Sequence, residues 1–180
     1  LRVRVVNAEV QGIDVTLGEA SEPPPEQEPT EPFTLEAPID LVIERFALRD
    51  AVVRQAEAEM VRIDSAAFAG SWIETNVTVK ALDVQSPDGE IHFAGAVREA
   101  DTYIGDGAGE FRWQVGDSTY AGTIKANAQA TEATIDVALT APLRADLNLG
   151  LEQQDTLPWK FVLAVPSFDP RKELMPDSSF

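Results

Sequence analysis

Residues 143–152 read Leu143-Arg144-Ala145-Asp146-Leu147-Asn148-Leu149-Gly150-Leu151-Glu152, apolar at every odd position and Arg, Asp, Asn, Gly or Glu at every even one. Successive side chains of a strand point to opposite faces, so this segment is a ribbon with one apolar and one wet side. The same alternation recurs along the chain. Val10, Ile13, Val15 and Leu17 mark a first strand or hairpin over about 1–17, and Ile39, Leu41 and Ile43 open the next. Phe46 and Leu48 then continue on the opposite parity, as do Leu82 and Val84 after Val77, Val79 and Ala81. Such one-residue slips predict bulges that keep the apolar groups on one side. Val61, Ile63, Phe68 and Trp72 around Gly70, then Ile91, Phe93, Gly95 and Val97, then Phe111, Trp113 and Val115 supply further strands. Tyr120 to Ala130, Ile135 to Leu139, the 143–151 ribbon and Trp159, Phe161, Leu163 and Val165 complete the set.

Turn signals fall between these runs. Ser86-Pro87-Asp88-Gly89 predicts a tight hairpin in which Asp-Gly supplies positive φ. Gly105-Asp106-Gly107-Ala108-Gly109 reads as a second turn and Gly116-Asp117-Ser118 as a third. Only Val52 to Met60 passes as a short helix. Turns at intervals of about ten residues predict an all-β antiparallel meander with few or no helices.

Two segments break the pattern. Residues 19–32 combine five glutamates with five prolines, which predicts an extended acidic loop. Residues 166–180 read as an irregular tail. A weak echo pairs 3–10 with 46–53, both apolar, x, apolar, x, Asn/Asp, Ala, x, Val, and suggests a β unit stacked along an axis. The whole chain, 1–180, reads as one β segment, and its opening in mid-strand at Leu1 is expected of a piece of a longer protein.

The net charge of −17 makes nucleic acid an improbable partner and disfavours adsorption to anionic headgroups. With no cysteine there is no disulfide and no thiolate metal site. The apolar runs are far shorter than the roughly 20 residues that span a bilayer.

Chemistry is sparse. His92 is the sole histidine and falls on the polar face between Ile91 and Phe93, an exposed structural position. Asp101, Asp106 and Glu110 flank glycines but do not match the spacing of a calcium loop. No nucleophile elbow or phosphate-cradling loop is present, so neither an enzyme nor a cofactor or metal is expected. Trp72, Trp113 and Trp159 stand near strand ends. Ala126, Ala128 and Ala130 leave an inward face uncrowded, for close sheet approach or for a guest chain.

Residues 38–53, 63–72 and 82–89, from Pro38-Ile39-Asp40-Leu41-Val42-Ile43 through Ile63-Asp64-Ser65-Ala66-Ala67-Phe68 to Leu82-Asp83-Val84-Gln85-Ser86-Pro87-Asp88-Gly89, resemble the amino-terminal periplasmic region of the TamB family. That family is the inner-membrane component of the translocation and assembly module of Gram-negative bacteria. Val3 to Leu17 and the insertion at 19–32 fit the same layout, and the resemblance is best over about 1–100. It implies a periplasmic sheet folded lengthwise into an open hydrophobic trough (a β-taco), on a parent anchored in the inner membrane. It also implies work with TamA, an outer-membrane barrel met through other parts of the parent, and phospholipid movement between membranes.

On this reading acyl chains lie on Ile39, Leu41, Ile43, Val77, Val79, Ile91, Phe93, Phe111, Trp113, Ile135, Leu139, Leu147, Leu149, Phe161 and Leu163. Two alternatives stand beside it. An edge strand would hold outer-membrane protein clients by β-augmentation, or the faces would close on each other as a sandwich.

Overall fold

The computed structural model describes residues 1–17, 35–55, 58–153 and 159–165, so the calls on 19–32 and 166–180 lie outside the described residues. Eleven strands form one open sheet: β1 (Arg2–Val5), β2 (Ala8–Leu17), β3 (Asp40–Gln55), β4 (Ala58–Ile73), β5 (Asn76–Ser86), β6 (Gly89–Glu99), β7 (Tyr103–Val115), β8 (Ser118–Gln129), β9 (Glu132–Ala141), β10 (Ala145–Glu152) and β11 (Trp159–Ala164). From β3 to β11 each strand pairs antiparallel with its successor. No helix is present among the described residues, and the stretch read as a possible helix at Val52 to Met60 joins the end of β3 to the start of β4. Its Val52 and Val53 favour the pleated surface, and pairing to β2 and within the hairpin decides the conformation.

The first strands depart from the meander. β1 and β2 run parallel to β3, each residue beside the one 38 positions on. Hence Val3 lies beside Leu41, Val5 beside Ile43, Ala8 beside Phe46, Val10 beside Leu48, Ile13 beside Ala51 and Val15 beside Val53. The echo of 3–10 with 46–53 is therefore not the physical repeat, because Phe46 neighbours Ala8 and not Val3. Ion pairs line the seam: Arg2 with Asp40 at 3.1 Å lies in the 38-residue register, while Arg4 with Glu44, Glu9 with Arg49 at 3.1 Å and Asp14 with Arg54 at 3.3 Å each reach diagonally to the residue 40 positions on. Each is exposed and contributes under about 1 kcal/mol, so the ladder specifies register more than stability.

Register shifts fall between Ile43 and Phe46 and between Val79 and Leu82, where the parity slips require bulges. A third parity change, from Val10 to Ile13 and from Leu48 to Ala51, has another cause. Gly12 (φ 73) and Asp50 (φ 54) stand side by side in the left-handed region. One such residue in each strand restarts the alternation without slipping the ladder, and glycine and Asp tolerate it best.

Two turn expectations need correction. Residues 105–109 are the interior of β7, not a turn. The 86–89 hairpin turns at Pro87 and Asp88, with neither Asp88 nor Gly89 at positive φ. In both places glycine answers close packing on one face, as described below.

Among the described residues no second layer covers the sheet. Among the described residues only Ala51, Val52 and Ala145 are buried apolar residues, and no large side chain is fully buried. A closed sandwich would bury a row of inward side chains from each sheet.

Candidate apolar groove

Residues directly opposite each other in neighbouring strands share a face, so the pairings trace rows across the sheet. One row runs Ala8, Phe46, Phe68, Leu82, Phe93, Gly109, Ile124, Val137, Leu147 and Leu163 without a polar side chain. The row beside it runs Ile43, Gly70, Val79, Gly95, Gly107, Ala126, Ile135, Leu149 and Phe161. A third holds Leu41, Trp72, Val77, Val97, Gly105, Ala128, Ala133 and Leu151. On the other side of the first row come Val84, Ile91, Phe111, Gly122, Leu139 and Ala145, then Gly89, Trp113 and Tyr120.

Fourteen of the fifteen residues selected from the sequence thus occupy one face, and Ile39 precedes them just ahead of β3, 40% exposed. Their neighbours Phe46, Phe68, Leu82, Ile124 and Val137 belong to the same wall and were missing from the selection. Counting alternate positions through each bulge would have found them.

Glycine gathers on this face. A Cβ on Gly95 would stand 2.7 Å from the Gly107 Cα, one on Gly105 2.1 Å from the Ala96 carbonyl oxygen, and one on Gly89 2.1 Å from that of Arg112. Backbone this close on the apolar side means that the sheet curls toward that side, where only glycine fits. The Phe93 ring lies over Gly107 and Gly109, with its carbons 2.8 and 3.1 Å from the added Cβ positions. Small residues thus make a floor, and a concavity of about 310 Å³ opens over Gly95, Gly105, Gly107, Ala126 and Ala128, with Val77, Val79, Phe93 and Ile135 on its walls. Ala130 is not part of it: it is exposed at φ 46 beyond the end of β8. A larger hollow of about 590 Å³ lies at the Gly12–Asp50 bend, but Gln11, Arg49, Asp50, Asp64, Ser65, Asp83 and Gln85 give it polar walls.

The opposite face carries the charge. Asp83, His92, Glu110 and Thr123 form one row there. His92 Nδ1 lies 2.6 Å from Asp83 Oδ1, and this hydrogen bond raises the imidazole above its ordinary 6.5. Partial desolvation opposes the rise, while the charges of Asp83, Glu90 and Glu110 add to it. The stabilisation by charged His92 is complete below 6.5 and is lost as pH rises through the higher folded value. An NMR titration is expected to give a His92 midpoint above 6.5, lowered by Asp83→Asn. Equal midpoints in the two proteins would contradict the pairing. Among the described residues no three His, Asp or Glu side chains are grouped to hold a metal ion, and no helix is long and apolar enough to cross a membrane.

A family model described as TamB, N-terminal domain matches residues 17–169. The match continues well beyond the first hundred residues, where the resemblance reads best, and takes in β3 to β11 whole. No curated protein and no solved structure matches the chain.

Proposed function

Since the chain belongs to the TamB N-terminal domain family, we propose that its apolar face is a groove for phospholipid acyl chains. In this reading residues 1–180 are one segment of a longer, inner-membrane-anchored protein. The segment lies in the periplasm and gives lipids an apolar path between inner and outer membranes. It also supports outer-membrane protein assembly, and a TamA-like barrel is met through other parts of the parent. The work is transport and assembly, with no catalytic step and no cofactor.

The observation that carries this reading is the uninterrupted row from Ala8 to Leu163, ten strands wide, with no described layer over it. Each acyl methylene taken out of water onto such a wall contributes roughly 0.8 kcal/mol. The groove offers few polar groups to select headgroups, which suits passage of mixed phospholipids.

A second reading rests on a separate observation. Among the described residues β1–β2 and β11 are the two edges of the sheet, and each presents one side of its backbone to no other described strand. An outer-membrane protein strand added there would be held by main-chain hydrogen bonds. A photoreactive side chain placed, one position at a time, at Ile135 on the apolar face, at Asp136 on the polar face, and at Glu9 and Lys160 on the edge strands β2 and β11 separates the two. Lipid adducts at 135 and none at 136 are expected. Client polypeptide captured at both edges, with no lipid at 135, would favour the scaffold and overturn the groove.

A further inference from the structure

Along one rim of the apolar face, hydrogen bonds join parts of the sheet that are not neighbours. The Tyr103 N–H donates to Gln153 Oε1 at 2.6 Å, and Gln153 Nε2–H donates back to the Tyr103 carbonyl at 2.9 Å. Tyr103 begins β7 and Gln153 follows β10, with β8 and β9 between them. In a flat sheet three strand spacings separate them by about 14 Å, beyond the reach of one glutamine. At the same rim the Leu35 N–H, in the lead-in to β3, donates to the Glu99 carboxylate at the end of β6. The Leu35 carbonyl accepts from Trp72 Nε1–H at 2.6 Å. Burial and the nearby Glu99 charge raise the Tyr103 phenol above its ordinary value, in keeping with a crowded rim.

The opposite rim differs. Among the described residues its bonds, such as Gln114 N–H to the Asp88 carbonyl at 2.6 Å and the Thr140 hydroxyl to the Ala121 carbonyl at 3.1 Å, join adjacent strands. There the apolar face ends in the cross-strand pair Trp113 and Tyr120, the latter 37% exposed. Trp and Tyr combine an apolar ring with a polar edge and settle where hydrocarbon gives way to water. From Gly105 to Trp113 the wall is about 26 Å long at the rise of a strand. Half of a bilayer's hydrocarbon core is about 15 Å, so a whole acyl chain fits between the two rims.

We propose that Gln153 is a clasp that keeps one rim of the groove closed, so that phospholipid tails enter past Trp113 and Tyr120 with their methyl ends toward Gly105 and Ala128. The headgroups then stay at the aromatic rim while the lipid shifts across the strands. This rests on the lipid reading above, but the clasp itself is testable without lipid.

Asp106 and Gly150 lie in one polar-face row with Asn127 and Thr134, and a side chain added at 150 meets nothing nearer than 3.9 Å. Spin labels at these two positions report the spacing of β7 and β10. Gln153→Ala is expected to lengthen that spacing toward the flat-sheet value, and an unchanged distance would overturn the clasp whatever the protein binds. The orientation is read with phosphatidylcholine brominated near the methyl end or near the carboxyl end of its chain, added to variants keeping only Trp72 or only Trp113. Methyl-end bromine is expected to quench Trp72 more and carboxyl-end bromine Trp113 more. The reverse order, or equal quenching at both positions, would overturn the orientation while leaving a lipid groove in place. No quenching of either tryptophan would overturn the lipid reading and the orientation together.

Discussion

Leu147→Arg is expected to strip bound lipid from the purified chain while the sheet remains folded. Leu147 stands in the longest apolar row between Val137 and Leu163, half-buried at the groove surface. The substitution removes a branched apolar side chain that an acyl chain covers and puts a charge where hydrocarbon must lie. Losing that contact costs about 2–3 kcal/mol of lipid binding, roughly 30- to 150-fold in retention. In the lipid-free protein the guanidinium reaches water from the open face, so far-UV circular dichroism and the unfolding midpoint should change little. Phe93→Arg is expected to act in the same direction with a larger effect on stability, because the Phe93 ring also covers Gly107 and Gly109. Lipid content equal to that of the unaltered protein in both variants would remove the groove from the account.

Gly105→Val is expected to destabilise the sheet by 1–3 kcal/mol or more, the range for forcing atoms into occupied space. The obstacle to a Cβ there is backbone, the Ala96 carbonyl oxygen at 2.1 Å and the Val97 Cα at 2.6 Å, and neither can swing aside as a side chain end can. Gly150→Ala is the comparison. It is also a strand glycine, but it lies on the polar face with nothing nearer than 3.9 Å, and its substitution should be neutral or slightly stabilising. Urea unfolding of the two variants measures the difference. Equal midpoints would mean that the sheet does not curl toward its apolar side.

Much of this architecture was readable in residue order, and the exceptions share a cause. The 143–151 ribbon lies as its alternation requires, and the slips at Phe46 and Leu82 are true register shifts, because apolar parity records which side of a strand faces inward. The run from Gly105 to Gly109 was misleading, since glycine marks both turns and close backbone approach, and only the pairing with β6 and β8 tells them apart. The parallel course of β1 and β2 was hidden for a related reason. A strand's own pattern carries no sign of its partner's direction, and the 38-residue spacing of apolar positions becomes obvious only once the seam is seen. Within the wall, Phe93, Leu147 and Leu149 were found by alternation alone. The Gln153 clasp left no such signal, because a glutamine after a strand looks like any solvated polar residue until β10 is brought round to β7.

On the reading proposed above, the open apolar face of the sheet carries phospholipid. Native mass spectrometry of the 180-residue chain, purified without detergent, tests it most directly. The account expects mass additions matching intact phospholipids of mixed headgroup, released on collisional activation before the chain unfolds. A spectrum showing only the bare polypeptide would contradict it.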